Sequence, residues 1–176
     1  MSTVQTMLER ARVGDSDAFA ALVAQHERRL QALACRLLGR PDLVEDALQE
    51  AYVRAFRGLS RFRGQADFGT WLYRITYNVC MDELRRRRRQ AVSVDSGQDR
   101  PAVPDAPDPA DFCAERHALA AALARLTTRE RSAVVLVDGY GMGYVQAAEI
   151  LGVAPGTVGS RVFRARGALR QALEAA

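Results

Sequence analysis

The chain contains no lysine: all 25 of its basic residues are arginine, set against 21 carboxylates, for a formal net charge of +4. Arginine offers a planar fork that pairs bidentately with phosphate or guanine. A GC-rich coding bias would produce the same total, so composition alone leaves both readings open. Histidine is nearly absent, with only His26 and His117, and the three cysteines, Cys35, Cys80 and Cys113, lie far apart. No CxxC or Cys/His cluster exists, which argues against a metal site or a disulfide framework and leaves free thiols as the expectation. No Ser/His/Asp set and no phosphate-cradling glycine loop is found, so no catalytic residue, metal or cofactor is expected. No apolar run approaches the roughly 20 residues of a membrane span. The segment Met1 to Arg12 is polar and mixed, without a signal-peptide pattern, so a cytoplasmic protein is expected.

Proline is scarce except in one place. Four of the six (Pro101, Pro104, Pro107 and Pro109) fall within nine residues, among Asp95, Asp99, Asp105 and Asp108 and almost no large apolar side chain. This composition predicts a flexible linker over 91–110. It divides the chain into two small helical domains, 1–90 and 111–176, and the fold class expected is all-α.

The second domain carries a helix-turn-helix pattern. Ala148 allows close helix approach, Gly152 suits the positive φ of a tight turn, and Val158 plugs the next helix into the core. Pro155 fits the first turn of that helix. Val158, Val162, Ala165 and Leu169 then make one buried stripe. Thr157, Ser160, Arg161 and Arg164 fall on other faces, where hydroxyls and guanidinium groups can reach base edges and phosphates. An amphipathic helix with solvated arginines is the plainer alternative. Ahead of this motif, Thr127 and Glu130 form a capping-box pair, and Val134 to Val137 imply a segment buried on nearly all sides.

In the first domain, Ser16 or Asp17 can cap a long helix whose apolar residues run from Phe19 to Leu37, ending at Gly39. A second helix, about Asp42 to Gly58, buries Val44, Ala47, Leu48, Ala51 and Ala55, with Tyr52, Phe56 and Leu59 widening the stripe. Asp46, Gln49, Glu50 and Val53 share another face: either a solvated strip or a docking surface for a basic partner. Residues 60–70 read as a loop with Arg61, Phe62, Arg63, Gly64 and Gln65, a mixture suited to unpaired nucleic acid, although Phe62 can equally anchor the loop in the core. The third helix, about Phe68 to Arg88, buries Phe68, Leu72, Ile75 and Val79, with Trp71 beside them. Arg74, Tyr77, Asn78, Met81 and Arg85 form a face of arginine, aromatic and amide suited to reading nucleic acid. Arg85 to Arg89 add a phosphate patch at the helix end.

Three motifs together resemble the extracytoplasmic-function (ECF) sigma factors of bacterial RNA polymerase. They are Asp46-Ala-Leu-Gln-Glu-Ala-Tyr-Val-Arg-Ala-Phe56, Phe68-Gly-Thr-Trp-Leu-Tyr-Arg-Ile75 running into the arginines, and Ala148-Glu-Ile-Leu-Gly-Val-Ala-Pro-Gly-Thr-Val158 followed by Ser160 to Arg166. The resemblance spans about Asp17 to Leu173. It implies that Asp46, Gln49, Glu50 and Val53 meet the polymerase β′ clamp. Arg61, Phe62, Arg63, Gln65, Trp71, Arg74, Tyr77, Asn78, Met81 and Arg85 would take the melted −10 element, Phe62 and its loop capturing a flipped base. Pro155, Thr157, Ser160, Arg161 and Arg164 would read the −35 element while the second domain sits on the β flap. The implied partners are core polymerase, promoter DNA and an anti-sigma factor, with no small-molecule substrate. Gly143, Gln146 and Gly159 stand where the family commonly has serine, glutamate and lysine. A conventional helix-turn-helix regulator is the alternative; it leaves the first domain's faces without a purpose.

Overall fold

The computed structural model describes residues 3–62, 64, 67–94 and 117–174, and every regular element among them is helical. The predicted linker 91–110 lies outside the described residues except for the backbone of 91–94, as do Arg63, Gln65 and Cys113.

Among the described residues, five α-helices build the first unit: α1 (Thr3–Arg12), α2 (Ser16–Ala24), α3 (Glu27–Leu38), α4 (Val44–Gly58) and α5 (Phe68–Val94). Asp15, rather than Ser16 or Asp17, caps α2, its carboxylate accepting from Asp17 N and Ala18 N. The single long helix expected from Phe19 to Leu37 is two helices. The chain breaks at Gln25 and His26, which are neither glycine nor proline. Packing makes the break: the His26 ring sits 5.9 Å from Phe68 and 6.4 Å from Tyr73. A Cβ on Gly69 would lie 2.8 Å from His26 Cε1, so glycine is what admits the imidazole. Burial holds the imidazole below its ordinary pKa, with the Asp67 carboxylate opposing. The core is leucine-rich, and Leu22, Leu30, Leu33, Leu37, Leu59 and Leu72 are essentially inaccessible. Cys80 lies among them, and burial pushes its thiol up to about 12.

The second unit comprises α6 (His117–Ala124), α7 (Thr128–Val134), α8 (Tyr144–Leu151) and α9 (Pro155–Glu174). The Thr127–Glu130 capping box is present at the start of α7. After α7 the chain widens into one π-helical turn, Val135–Gly139, with Val134, Val135 and Leu136 buried. Gly152 ends α8 at φ +64°, the left-handed value expected for the turn, and Val158, Val162 and Ala165 are buried against α7 and α8.

The two units dock on each other, which periodicity gave no reason to expect. Tyr140, just past the π turn, donates its hydroxyl to the Arg29 carbonyl at 2.7 Å. Its ring lies 5.6 Å from Tyr73 and under the Arg36 guanidinium at 5.5 Å. Arg131 Nη1 donates to the Leu37 carbonyl at 3.3 Å, and Nη2 to the Ala124 carbonyl at 3.0 Å. A Cβ on Gly139 would meet Arg36 at 2.9 Å, so glycine permits that approach. Burial raises the Tyr140 phenol to about 12, so the latch stays protonated at any physiological pH.

Candidate nucleic-acid interface

Three exposed surfaces follow from these elements. On α4, the i, i+3, i+4, i+7 spacing puts Asp46, Gln49, Glu50 and Val53 on one solvent face, Val53 being 42% exposed. Beside them runs a shallow apolar groove lined by Ser16, Phe19, Tyr52, Val53, Phe56 and Arg57. Phe56 is 38% exposed at its rim, edge-on to Phe19 at 5.2 Å, instead of closing the buried stripe. Sequence reasoning missed this groove because one wall, Ser16 and Phe19, comes from α2 and the rest from α4. Glu50 accepts from Arg54 Nε at 2.7 Å, and Arg54 Nη1 reaches Asp82 of α5 at 3.0 Å. The strip is therefore tied electrostatically to the next surface.

That surface lies on α5. Asp67 Oδ2 caps the helix by accepting from Gly69 N at 2.9 Å and Thr70 N at 3.4 Å. Arg74, Asn78 and Arg85 are exposed, Tyr77 and Trp71 half-buried. Two expected members differ. Met81 shares their spacing but is 7% exposed and belongs to the core. Helix α5 packs against α3, α4 and α8, and Met81 falls on the covered side. Phe62 is likewise 7% exposed, its ring 5.0 Å from Trp71 and 6.1 Å from Phe68. A ring held on both sides in the core has no free face for a base, so here it anchors the segment and Trp71 carries the accessible edge of the pile. Arg61 is exposed beside it.

The third surface is the helix-turn-helix. Gly143 caps α8 in extended conformation, and its N–H donates to Gln146 Oε1 at 3.3 Å, half of a capping box. On α9, Pro155, Ser160 and Arg164 are exposed, Thr157 and Arg161 half-buried. The Ser160 hydroxyl donates back to the Thr157 carbonyl at 3.0 Å, and Arg164 Nε donates to Glu130 Oε1 at 3.2 Å. Glu130 is held below the usual carboxylate range, first by the Thr127 hydroxyl and then by Arg164. Phe163, which the sequence reading passed over, is 80% exposed between Ser160 and Arg164. Its position outside the 158/162/165/169 stripe was the available signal. Among the described residues no group of His, Cys, Asp or Glu is placed to hold a metal, and no helix is long and apolar enough to cross a membrane.

A helix-turn-helix on one unit and an exposed arginine-aromatic strip on the other suit a DNA-binding protein, and comparison with known proteins specifies the class. The sigma-70 region 2 family matches residues 22–90 and the sigma-70 region 4 family residues 116–169. The chain is 40% identical over 164 residues to the ECF RNA polymerase sigma factor SigM of Mycobacterium tuberculosis, covering 91% of this chain and 79% of that one. It is 32% identical to the ECF RNA polymerase sigma-E factor of Escherichia coli, covering 95% and 92%. The sigma factor RpoE of Bartonella quintana, solved with the anti-sigma factor NepR, superposes with a TM-score of 0.72 at 29% identity, covering 89% of this chain and 96% of that one. The chain belongs to the ECF sigma factors of RNA polymerase.

Proposed function

We propose that the chain is the promoter-recognition subunit of a bacterial RNA polymerase, acting in the cytoplasm by binding and without chemistry of its own. In this reading residues 1–90 hold core polymerase and the −10 element, and 111–176 the −35 element, with 91–110 as linker. The exposed strip Asp46, Gln49, Glu50 and Val53 meets basic residues of the β′ clamp. Arg61, Trp71, Arg74, Tyr77, Asn78 and Arg85, with Arg63 and Gln65, hold the melted −10 strand, Phe62 supporting them from within. Pro155, Thr157, Ser160, Arg161 and Arg164 lie over the −35 major groove while the second unit rests on the β flap, and Phe163 supplies an apolar contact of the kind thymine methyls accept. An anti-sigma factor that holds the docked form is the regulatory partner.

One observation carries this reading: an accessible arginine-aromatic strip on α5 and a helix-turn-helix at α8–α9 occur on separate units of one chain. The −10 and −35 elements lie about 25 base pairs apart, roughly 85 Å of duplex. A compact chain of this length has a radius of gyration of about 16 Å. The docked arrangement therefore cannot serve both elements, and the Tyr140 contacts must release. Residues 95–116, fully extended at about 3.3–3.6 Å each, reach roughly 70–80 Å, which lets the units separate. Arg161→Ala tests the −35 assignment. Promoter affinity of the holoenzyme should fall by ~1–3 kcal/mol with relaxed choice at one −35 position, read by competition between promoter variants. Unchanged affinity and choice would remove Arg161 from the interface.

A further inference from the structure

Helix α1 lies ahead of the segment matched by the region 2 family, which begins at residue 22. Leu8 and Ala11 seat it in the core, and it packs against α2. Its last residue, Arg12, reaches across the fold. Arg12 Nη2 donates to the Phe62 carbonyl, and the guanidinium carbon stands 5.7 Å from the Phe62 ring centroid. Among the described residues, Arg12 Nε is buried without a hydrogen-bond partner. One cation thus grips both the backbone and the ring of the same residue, with part of its own solvation given up.

Phe62 passes this restraint on. Its ring is tilted 43° against Trp71 at 5.0 Å, and Phe68 closes the pile at 5.7 Å from Trp71. The indole is the half-exposed member, while Phe62 and Phe68 are buried. A base stacks productively only on a face already held in place, since an unrestrained ring must be ordered on binding.

We infer that Arg12 is a positioning residue for single-strand binding: it fixes Phe62, and through Phe62 the half-exposed Trp71 indole, against whose accessible edge an unpaired base packs. It rests on the reading of α5 as the −10 surface. The N-terminal helix is then part of the DNA-binding apparatus without touching DNA.

Trp71 is the sequence's only tryptophan, so its emission reports on this pile directly. In the full chain, Arg12→Ala should shift Trp71 emission to the red and increase its quenching by acrylamide, with helix content unchanged. Bound to core polymerase, the same variant should lose about 5- to 20-fold in affinity for a short single-stranded oligonucleotide selected from random sequence by the wild-type holoenzyme. Arg12→Lys, which can still donate to the carbonyl but loses the planar contact with the ring, should fall between. Leu8→Ala is the control: it removes apolar packing of α1 but keeps the Arg12 guanidinium, and should lower the melting temperature with a clearly smaller effect on emission and strand affinity than Arg12→Ala. Equal effects of Leu8→Ala and Arg12→Ala, or unchanged emission and affinity in Arg12→Ala, would overturn the inference. If wild-type holoenzyme selects no single strand, the −10 reading itself fails, an outcome distinct from either.

Discussion

Reversing two charges on α4, Asp46→Arg with Glu50→Arg, should abolish co-elution with core polymerase while the protein stays folded. Both side chains are exposed, and neither supports the core. The one ion pair lost, Glu50 to Arg54, has side chains 50% and 45% exposed, and exposed pairs contribute about 0–1 kcal/mol. Arg54 also keeps its second partner, Asp82. Against a basic clamp the same change turns attraction into repulsion at two points, and like-charge contacts across an interface cost several kcal/mol. At about 1.4 kcal/mol per tenfold, the loss should be roughly a hundredfold or more. Sizing chromatography with core polymerase, alongside circular dichroism, separates the two effects. Normal co-elution would take the strip out of the docking surface and leave the adjoining Phe19–Phe56 groove as the candidate.

Truncating Leu136 in the π-helical turn should be strongly destabilising. Its side chain is fully buried, and its carbonyl accepts from Met142 N at 3.2 Å, tying the turn to the approach to α8. Leu136→Ala should cost about 2–5 kcal/mol in lost transfer energy and residual cavity. A unit this small has only a few kcal/mol to lose. Thermal unfolding should therefore fall by roughly 10 °C or more, with −35 binding lost and the acidic strip of the first unit still able to engage polymerase. A shift of only a degree or two would mean that the wide turn collapses around the smaller side chain.

Local rules read well in this sequence wherever one residue type answers one geometric need. The Thr127–Glu130 cap, the left-handed Gly39 and Gly152, and the stripe through Val158, Val162 and Ala165 are such cases. What periodicity missed was decided by contacts distant in sequence. The break at His26 depends on Phe68, Tyr73 and Gly69, some forty residues away. Met81 has the same spacing as the exposed residues of α5 and differs only because three other helices cover that side. Phe62 allowed two readings until Arg12, Phe68 and Trp71 were seen around it. Helix α1 buries little beyond Leu8 and Ala11, too sparse a stripe to announce itself. The docking of the units through Tyr140 left no trace in either unit's own pattern. The candidate faces could be proposed from residue type, because the chemistry of a stacking or groove-reading surface restricts which side chains serve it, but which of those side chains reach the surface was set by the packing, as buried Met81 and Phe62 and exposed Phe163 show.

This chain should choose promoters only as part of polymerase. The measurement that tests it most directly is transcription from a library of linear genomic templates by core polymerase with and without the purified chain, with start sites mapped. Discrete start sites that depend on the chain are expected, each preceded by two recurring sequence blocks near −10 and −35, while the chain alone binds duplex weakly. Start sites indifferent to the chain, together with tight, salt-sensitive binding of the free chain to a duplex operator, would contradict it and return the helix-turn-helix to a conventional regulator.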